Sequence, residues 1–583
     1  LNLNGGTMTV KGDFDGNGDI TLGGGTLHID GDFNNYSNLY MTNKNDYLYI
    51  GGDFTSREGN VDLTEGVLEI KGDVYFYEIT RMSSNHKTIL SGNEELTIYM
   101  QDDAFNSYFN QLQILNSDKR SINVDGTFSS KYTDCGENPL NIKSRDGYLS
   151  LGELTCTELN VTGDVNFDGN TKLMCKKATF ADDVSFGNDN GTTKLDFNAC
   201  EVNIAGNVTQ TNGSEISLNK ANVTVPSYNM VSGKLFVAQG TLNINGDMSV
   251  NGYIYMQNEA DHIIIKGDWD MTNVYSYSDD ITAGTIECVG NITSTGESPF
   301  ISKGTFKLIL NGEKDQTINM EYYPSDSDLY HFANLEVKNA DKRAILLKGN
   351  LDVGEFTADA DTVKITSTGG SLCNAKLRCN LDVTGDLKTK GNVIDLNGKS
   401  ITVNGNLYQY SGTIQPNTGK LTVNDYCLIT DEDSAVYGVS EGVLKMVNDG
   451  DYVLVNGDFI TKTDRNHEDY LTAGTLEIKG DFYQYDDGTT YAFPASGKHM
   501  TILSGDEVQN VTFESYDDSH FNILRMEQAK DKYVFSENPC WNEIASDTTT
   551  AATTTGTTTI TTTTVTVADT TTETVPFFCQ DRI

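Results

Sequence analysis

A short phrase recurs along the chain and limits what it can become: an alternating apolar stretch, then Gly-Asp or Gly-Asn, then a large apolar residue. It stands at Gly12-Asp13-Phe14, Gly31-Asp32-Phe33, Gly52-Asp53-Phe54 and Gly72-Asp73-Val74, at intervals of 19, 21 and 20 residues. Further copies begin at Gly163, Gly206, Gly246, Gly267, Gly290, Gly349, Gly385, Gly405, Gly457 and Gly480. A unit this short cannot bury an apolar face alone, so self-similarity at a fixed period means stacked units.

Inside each unit the apolar period is two. Leu27 and Ile29 alternate with His28 and Asp30, and Leu476 and Ile478 with Glu477 and Lys479; that is strand patterning. The helical half of a leucine-rich repeat is missing, and 55 Gly against 8 Pro suits turns between strands. The expected fold is all-β: a parallel β-helix, or β-solenoid, of about 20–22 residues per coil, its coils about 4.8 Å apart. Residues 1 to 540 then make roughly 26 coils and a rod of about 120 Å.

A longer repeat lies over the first. Leu63–Ile70, Ile281–Cys288 and Leu471–Ile478 are copies, each followed by an insert that opens on Ile89-Leu90, Ile309-Leu310 or Ile502-Leu503. The insert continues through an aromatic anchor (Phe109, Phe332, Phe521) to Asp118-Lys119-Arg120, Asp341-Lys342-Arg343 or Asp531-Lys532. Three solenoid modules are expected at 1–130, 131–353 and 354–546. From 547 to 583 composition shifts to a Thr-rich run and a short apolar tip with Val575, Phe577 and Phe578. Such a run cannot bury a core and reads as a disordered or extended arm.

Strands of the Gly-Thr-Leu-x-Ile-x-Gly-Asp-Phe kind resemble the β-solenoid repeats of bacterial surface adhesins and filamentous-haemagglutinin-like exoproteins. The resemblance spans nearly all of residues 1–540, implies architecture and an extracellular setting, and carries no catalytic residues.

With 41 basic and 83 acidic residues and a net charge of −42, the chain lacks a phosphate-neutralising surface, and nucleic acid is an unsuitable partner. No apolar run approaches a membrane span, so membrane insertion is not expected. The chain starts on a strand without Met, which reads as a mature or truncated product; a secreted or cell-surface location is expected.

Three groups of residues are candidates for chemistry. Cys135, Cys156, Cys175 and Cys200 recur about once per coil, a spacing that suits either adjacent-coil disulfides or a ladder of buried thiols. Cys540 and Cys579 form a further candidate pair across the Thr-rich arm. Asp13, Asp15 and Asn17, and likewise Asp164, Asn166 and Asp168, place oxygens at the first, third and fifth positions of a loop with glycine sixth, as a calcium loop does; position twelve is wrong in both. The favoured reading of the Gly-Asp step is an aspartate capping its own turn, with structural Ca2+ as the alternative and no cofactor required. Tyr75 and Tyr77, Tyr408 and Tyr410, and Tyr483 and Tyr485 should face outward, as half-buried strand residues or as lateral or glycan contacts.

Signatures of polygalacturonases, zinc peptidases, serine hydrolases and phosphate-binding loops are absent, and no enzyme activity is expected. The sequence suggests a structural or adhesive solenoid assembling head to tail with copies of itself through the arm. A monomeric glycan-binding adhesin is the alternative, and a polysaccharide-degrading β-helix ranks third.

Overall fold

The computed structural model describes residues 1–545 apart from 78–79, 84, 102–107, 146, 188–192, 275–278, 295–299, 321–330, 429–437, 487–491, 516–517 and 537–540. Cys540, Cys579 and the tip residues Val575, Phe577 and Phe578 therefore lie outside the described residues. The chain is all-β, and its parallel strands stack into a β-solenoid of about 23 turns. The count falls short of 26 because some coils are long: Lys87 pairs with Gln111, Lys307 with Asn334 and Lys420 with Tyr452.

The chain divides into two compact units, Leu1–Gly385 and Asp386–Ile583. In the first, the opening coils have three strands each, and every ladder is parallel and in register. Thr7–Val10 pairs with Thr26–Ile29, then Tyr47–Ile50, Val67–Ile70 and Lys87–Leu90. Phe14–Gly16 starts a second ladder through Phe33–Asn35, Phe54–Ser56 and Val74–Phe76. Ile20–Thr21, Leu39–Met41, Val61–Leu63 and Thr80–Met82 form a third.

Register turns the period-two pattern into columns. Leu27, Leu48 and Leu68, with Ile29, Ile50 and Ile70, are fully buried one above another. Phe14, Phe33 and Phe54, each following a Gly-Asp, open an aromatic column that Phe76, Phe109 and Phe128 continue, at ring separations of 5.3 to 6.3 Å. Contacts at this distance add to the stabilisation from burial. The second unit repeats the device with Tyr426, Phe459, Phe482 and Phe513.

The Gly-Asp step works between coils rather than within one turn. Asp13 Oδ1 accepts the Asp32 backbone N–H at 2.9 Å, Asp32 accepts that of Asp53 at 2.8 Å, and Asp53 that of Asp73 at 2.7 Å. This corrects the expectation of own-turn capping: the adjacent coil presents the nearest unpaired amide. The paired glycine has the same cause. A Cβ at Gly31, Gly52 or Gly72 would overlap the carboxylate of Asp13, Asp32 or Asp53. Asn serves equally, since Asn291 Oδ1 accepts the Thr317 N–H at 2.8 Å.

The inserts share one internal lock. Arg120 and Arg343, 5% and 4% exposed, donate through Nη2 to the carbonyls of Leu90 and Leu310 at 2.9 and 2.8 Å. In the third copy the Tyr533 hydroxyl donates to the matching carbonyl of Leu503 at 3.0 Å.

Candidate functional site

A groove of about 810 Å³ lies on the first unit, lined by residues between Tyr108 and Phe236. It exists because the coils turn a corner there. Thr127–Asp134 is one strand shared by two ladders: Thr127–Ser129 pairs with Tyr148–Ser150, and Tyr132–Asp134 with Glu153–Thr155. Alternation fails at the bend, where Lys131 and Tyr132 are both exposed. Gly152 (φ 56°) and Gly169 (φ 84°) make the next corners. A Cβ at Gly152 would overlap the Lys131 carbonyl, and one at Gly169 the Ser150 hydroxyl. Small residues keep the corner hollow.

One outward row forms the groove's long wall. In register, Tyr132 stands over Glu153, then Lys172, Asp196, Ser217 and Phe236. Five coil steps give a row of roughly 24 Å, with an aromatic ring at each end. Phe236 stacks on Tyr255 at 4.5 Å and 8°, and Lys131 lies 5.4 Å over Tyr132. Thr127, Ser129 and Ser150 add hydroxyls on the facing side.

The charges within the groove are mostly spoken for. Glu215 bridges Lys194 at 2.8 Å and Lys234 at 3.2 Å; the Lys194 bond foremost holds its carboxyl below the usual range. Asp196 accepts the Asn219 amide at 3.0 Å and the Asn198 N–H at 2.9 Å. Deeper in, Ser130 and Thr133 donate to the Leu151 carbonyl at 3.2 and 3.5 Å, and Thr171 Oγ1 accepts the Leu151 N–H at 3.0 Å. Three lysines against four carboxylates make the groove nearly neutral within a strongly acidic protein.

In the candidate calcium loops Phe14–Gly16 and Val165–Phe167 are strands, so positions two to four run extended. Asp13 and Asp164 hold the amides of Asp32 and Asp183 at 2.9 and 3.1 Å, and Asp15 accepts the Asn34 side-chain amide at 3.1 Å. Asn17 donates its backbone N–H to the Asp15 carbonyl at 3.2 Å, and Asp168 lines the groove. Among the described residues no cluster of three His, Cys, Asp or Glu side chains could hold a metal.

The tyrosine pairs do face outward, half-buried. Tyr75 and Tyr77 stack at 6.4 Å, Tyr483 and Tyr485 at 6.2 Å. Tyr75 and Tyr483 donate their hydroxyls to Asp73 and Asp481 at 2.9 and 2.8 Å, and the Tyr408 hydroxyl accepts from Asn406 at 3.3 Å. Lys388 and Lys390 lie over Tyr410. The pairs are thus tied into the Gly-Asp ladder.

Cys135, Cys156 and Cys200 are buried, and Cys175 is half-buried; all are thiols in this structure. Cys175 Sγ lies 3.3 Å from Cys200 Sγ, and Cys156 and Cys175 follow directly on the register partners Thr155 and Met174. Burial pushes Cys135 up to about 12.

Sequence reasoning missed the groove and three buried aspartates. Asp46, Asp261 and Asp451, each 1% exposed, cap backbone amides on their own and the neighbouring coil. Asp261 takes those of Gln239, Gln257 and Asn258, and Asp451 those of Thr418, Val447 and Asn448. The available signal was Asn-x-x-Asp, at Asn43, Asn258 and Asn448.

No family model matches the chain, and neither the curated proteins nor the solved structures contain a significant match.

Proposed function

We propose that the protein is a secreted or surface-displayed solenoid that binds an extended glycan along the corner groove of its first unit. The observation that carries this reading is the outward row from Tyr132 to Phe236: two aromatic ends, with carboxylate, ammonium and hydroxyl groups repeating at the coil spacing between them. Sugar rings stack on aromatic faces through their C–H groups, and their hydroxyls bridge fixed polar groups. A peptide adding as a strand would need an open sheet edge, whereas the strands here are paired on both sides by their own coils. Near neutrality of the groove favours an uncharged or amino-bearing glycan over a polyanion, which the net charge of −42 would repel.

Binding rather than hydrolysis is favoured by Glu215, whose lysines keep it ionised, where a general acid needs a raised pKa. The tyrosine pairs elsewhere are a second candidate surface, but hydroxyls tied to Asp73 and Asp481 are less available to a ligand. Head-to-tail assembly through the C-terminal arm remains a proposal about residues outside those described.

The test is a glycan array probed with the full chain and with Tyr132→Ala and Lys172→Ala. Retention of neutral or amino-bearing oligosaccharides, lost in both variants, is expected. Undiminished retention by these variants, with loss in Tyr483→Ser instead, would move the site elsewhere; no retention on any glycan would end the reading.

A further inference from the structure

The strands of the groove end on a row of thiols. Gly152–Thr155 runs into Cys156, Asn170–Met174 into Cys175, and Lys194–Asp196 is followed four residues later by Cys200. Register stacks these strands coil on coil, and the three sulfurs follow. Cys175 occupies the middle. Its Sγ is 3.3 Å from that of Cys200, and on the other side Cys156 and Cys175 directly follow the register partners Thr155 and Met174. Cys156 and Cys200 lie two coils apart, roughly 10 Å, beyond the Cα separation a disulfide spans. Cys135 sits one coil before Cys156, its backbone N–H bonded to the Thr155 carbonyl at 2.9 Å, and burial pushes its thiol up to about 12, so it stays protonated.

Access differs along the row. Cys156 is 6% exposed and Cys200 fully buried, while Cys175 is half-buried and is the thiol a small oxidant meets first. Hydrogen bonding among the neighbouring thiols lowers the Cys175 thiol from its usual range, which favours the thiolate form that attacks disulfides.

We propose that Cys156, Cys175 and Cys200 form a thiol–disulfide exchange site in which Cys175 is the shared partner, bonded to one neighbour at a time and leaving the third thiol free. The oxidant is a low-molecular-weight disulfide. The Cys175 thiolate attacks one of its sulfurs, forming a mixed disulfide and expelling a thiolate. Cys200 loses its proton and attacks Cys175 Sγ, expelling the second small thiolate. The two expelled thiolates take up the two protons given up by Cys175 and Cys200, so the small disulfide gains the two electrons that the protein loses. Attack of Cys156 on Cys175 Sγ then releases Cys200 and moves the bond one coil with no net oxidation. The bond clamps either the coils carrying Lys172 and Asp196 or those carrying Glu153 and Lys172. The site stands independently of what the groove binds.

The full chain is treated with oxidised glutathione, trapped by alkylation at low pH and mapped by peptide mass spectrometry. Wild type should give both Cys175–Cys200 and Cys156–Cys175 linkages, never in one molecule. Cys200→Ser should shift all linkage to Cys156–Cys175, and Cys175→Ser should leave Cys156 and Cys200 alkylated. Simultaneous Cys135–Cys156 and Cys175–Cys200 bonds would overturn the proposal, as would a single fixed pairing that Cys200→Ser does not move. So would Cys175 remaining unoxidised or stopping at the glutathione adduct.

Discussion

Replacing Asp53 isolates what the aspartate ladder contributes. Its Oδ1 holds the Asp73 N–H at 2.7 Å, a bond to a charged acceptor, of the kind that contributes about 1.5–3 kcal/mol. Asp32 and Asp73 stand one coil away on either side, and like charges about 4.8 Å apart repel by roughly 1 kcal/mol each under water-like screening. Asp53→Asn keeps the bond without charge assistance and removes the repulsion, as Asn291 does naturally, so its net effect at pH 7 is expected between zero and about 1 kcal/mol stabilising. Asp53→Ala removes both, leaving the amide unpaired, and should fall about 1–2 kcal/mol below Asn. The pH dependence has a definite sign. Burial foremost, then the neighbouring carboxylates, raise the Asp53 pKa, so its contribution is complete below the unfolded carboxylate range and is lost as pH rises through the folded value. The advantage of Asn should therefore vanish on acidification. Unfolding of a solenoid need not be two-state, and the suitable assay is native-state hydrogen exchange read at the amides of this and adjoining coils, where about 1.4 kcal/mol is tenfold in protection. Equal protection in the Asn and Ala variants would refute the ladder. A large loss in Asp53→Asn at pH 7 would mean that the charge itself is needed, as by a bound cation.

Three further outcomes follow from buried polar groups and the groove corner. Burial pushes His86, His467 and His499 down to about 4, so the unfolded chain binds more protons between about pH 6.5 and 4; stability should drop as pH falls through that window, by up to about 3 kcal/mol for each. His499→Phe, which puts at this position the residue that Phe306 supplies in the second repeat, should flatten the pH dependence of local exchange in its coil. Arg343→Ala removes the bonds to the Leu310 and Lys338 carbonyls and leaves a cavity beneath the insert, and should cost about 2–4 kcal/mol by local exchange; Arg343→Tyr, which borrows the third repeat's solution at Tyr533, should recover part of it. Gly152→Ala meets a positive φ and the Lys131 carbonyl together and should destabilise the groove corner by more than about 1 kcal/mol, seen as faster proteolysis there.

The solenoid was legible because register makes each core column a sequence period: Leu27, Leu48 and Leu68 announce themselves, as does each Gly-Asp. What that step does was not legible, since an aspartate can bond its own turn or the next coil, and only the closeness of Asp13 to Gly31 decides. The calcium-like spacing at Asp13 and Asp164 has a related limit: spacing does not give the path of the backbone, and here Phe14–Gly16 and Val165–Phe167 run as strands. The groove was invisible because its walls come from residues about 20 apart and its hollowness from the bend at Ser130-Lys131, which breaks alternation by one residue. The cysteine spacing was visible, but the central position of Cys175 depends on side-chain direction at three corners.

The groove as a glycan site is tested most directly by hydrogen–deuterium exchange of the full chain, with and without a pool of neutral and amino-bearing oligosaccharides. Slowed exchange confined to the corner segments around Lys131–Tyr132, Gly152–Glu153, Gly169–Lys172 and Lys194–Asp196 is the predicted result. An unchanged pattern there, or protection centred on the tyrosine pairs, would contradict it.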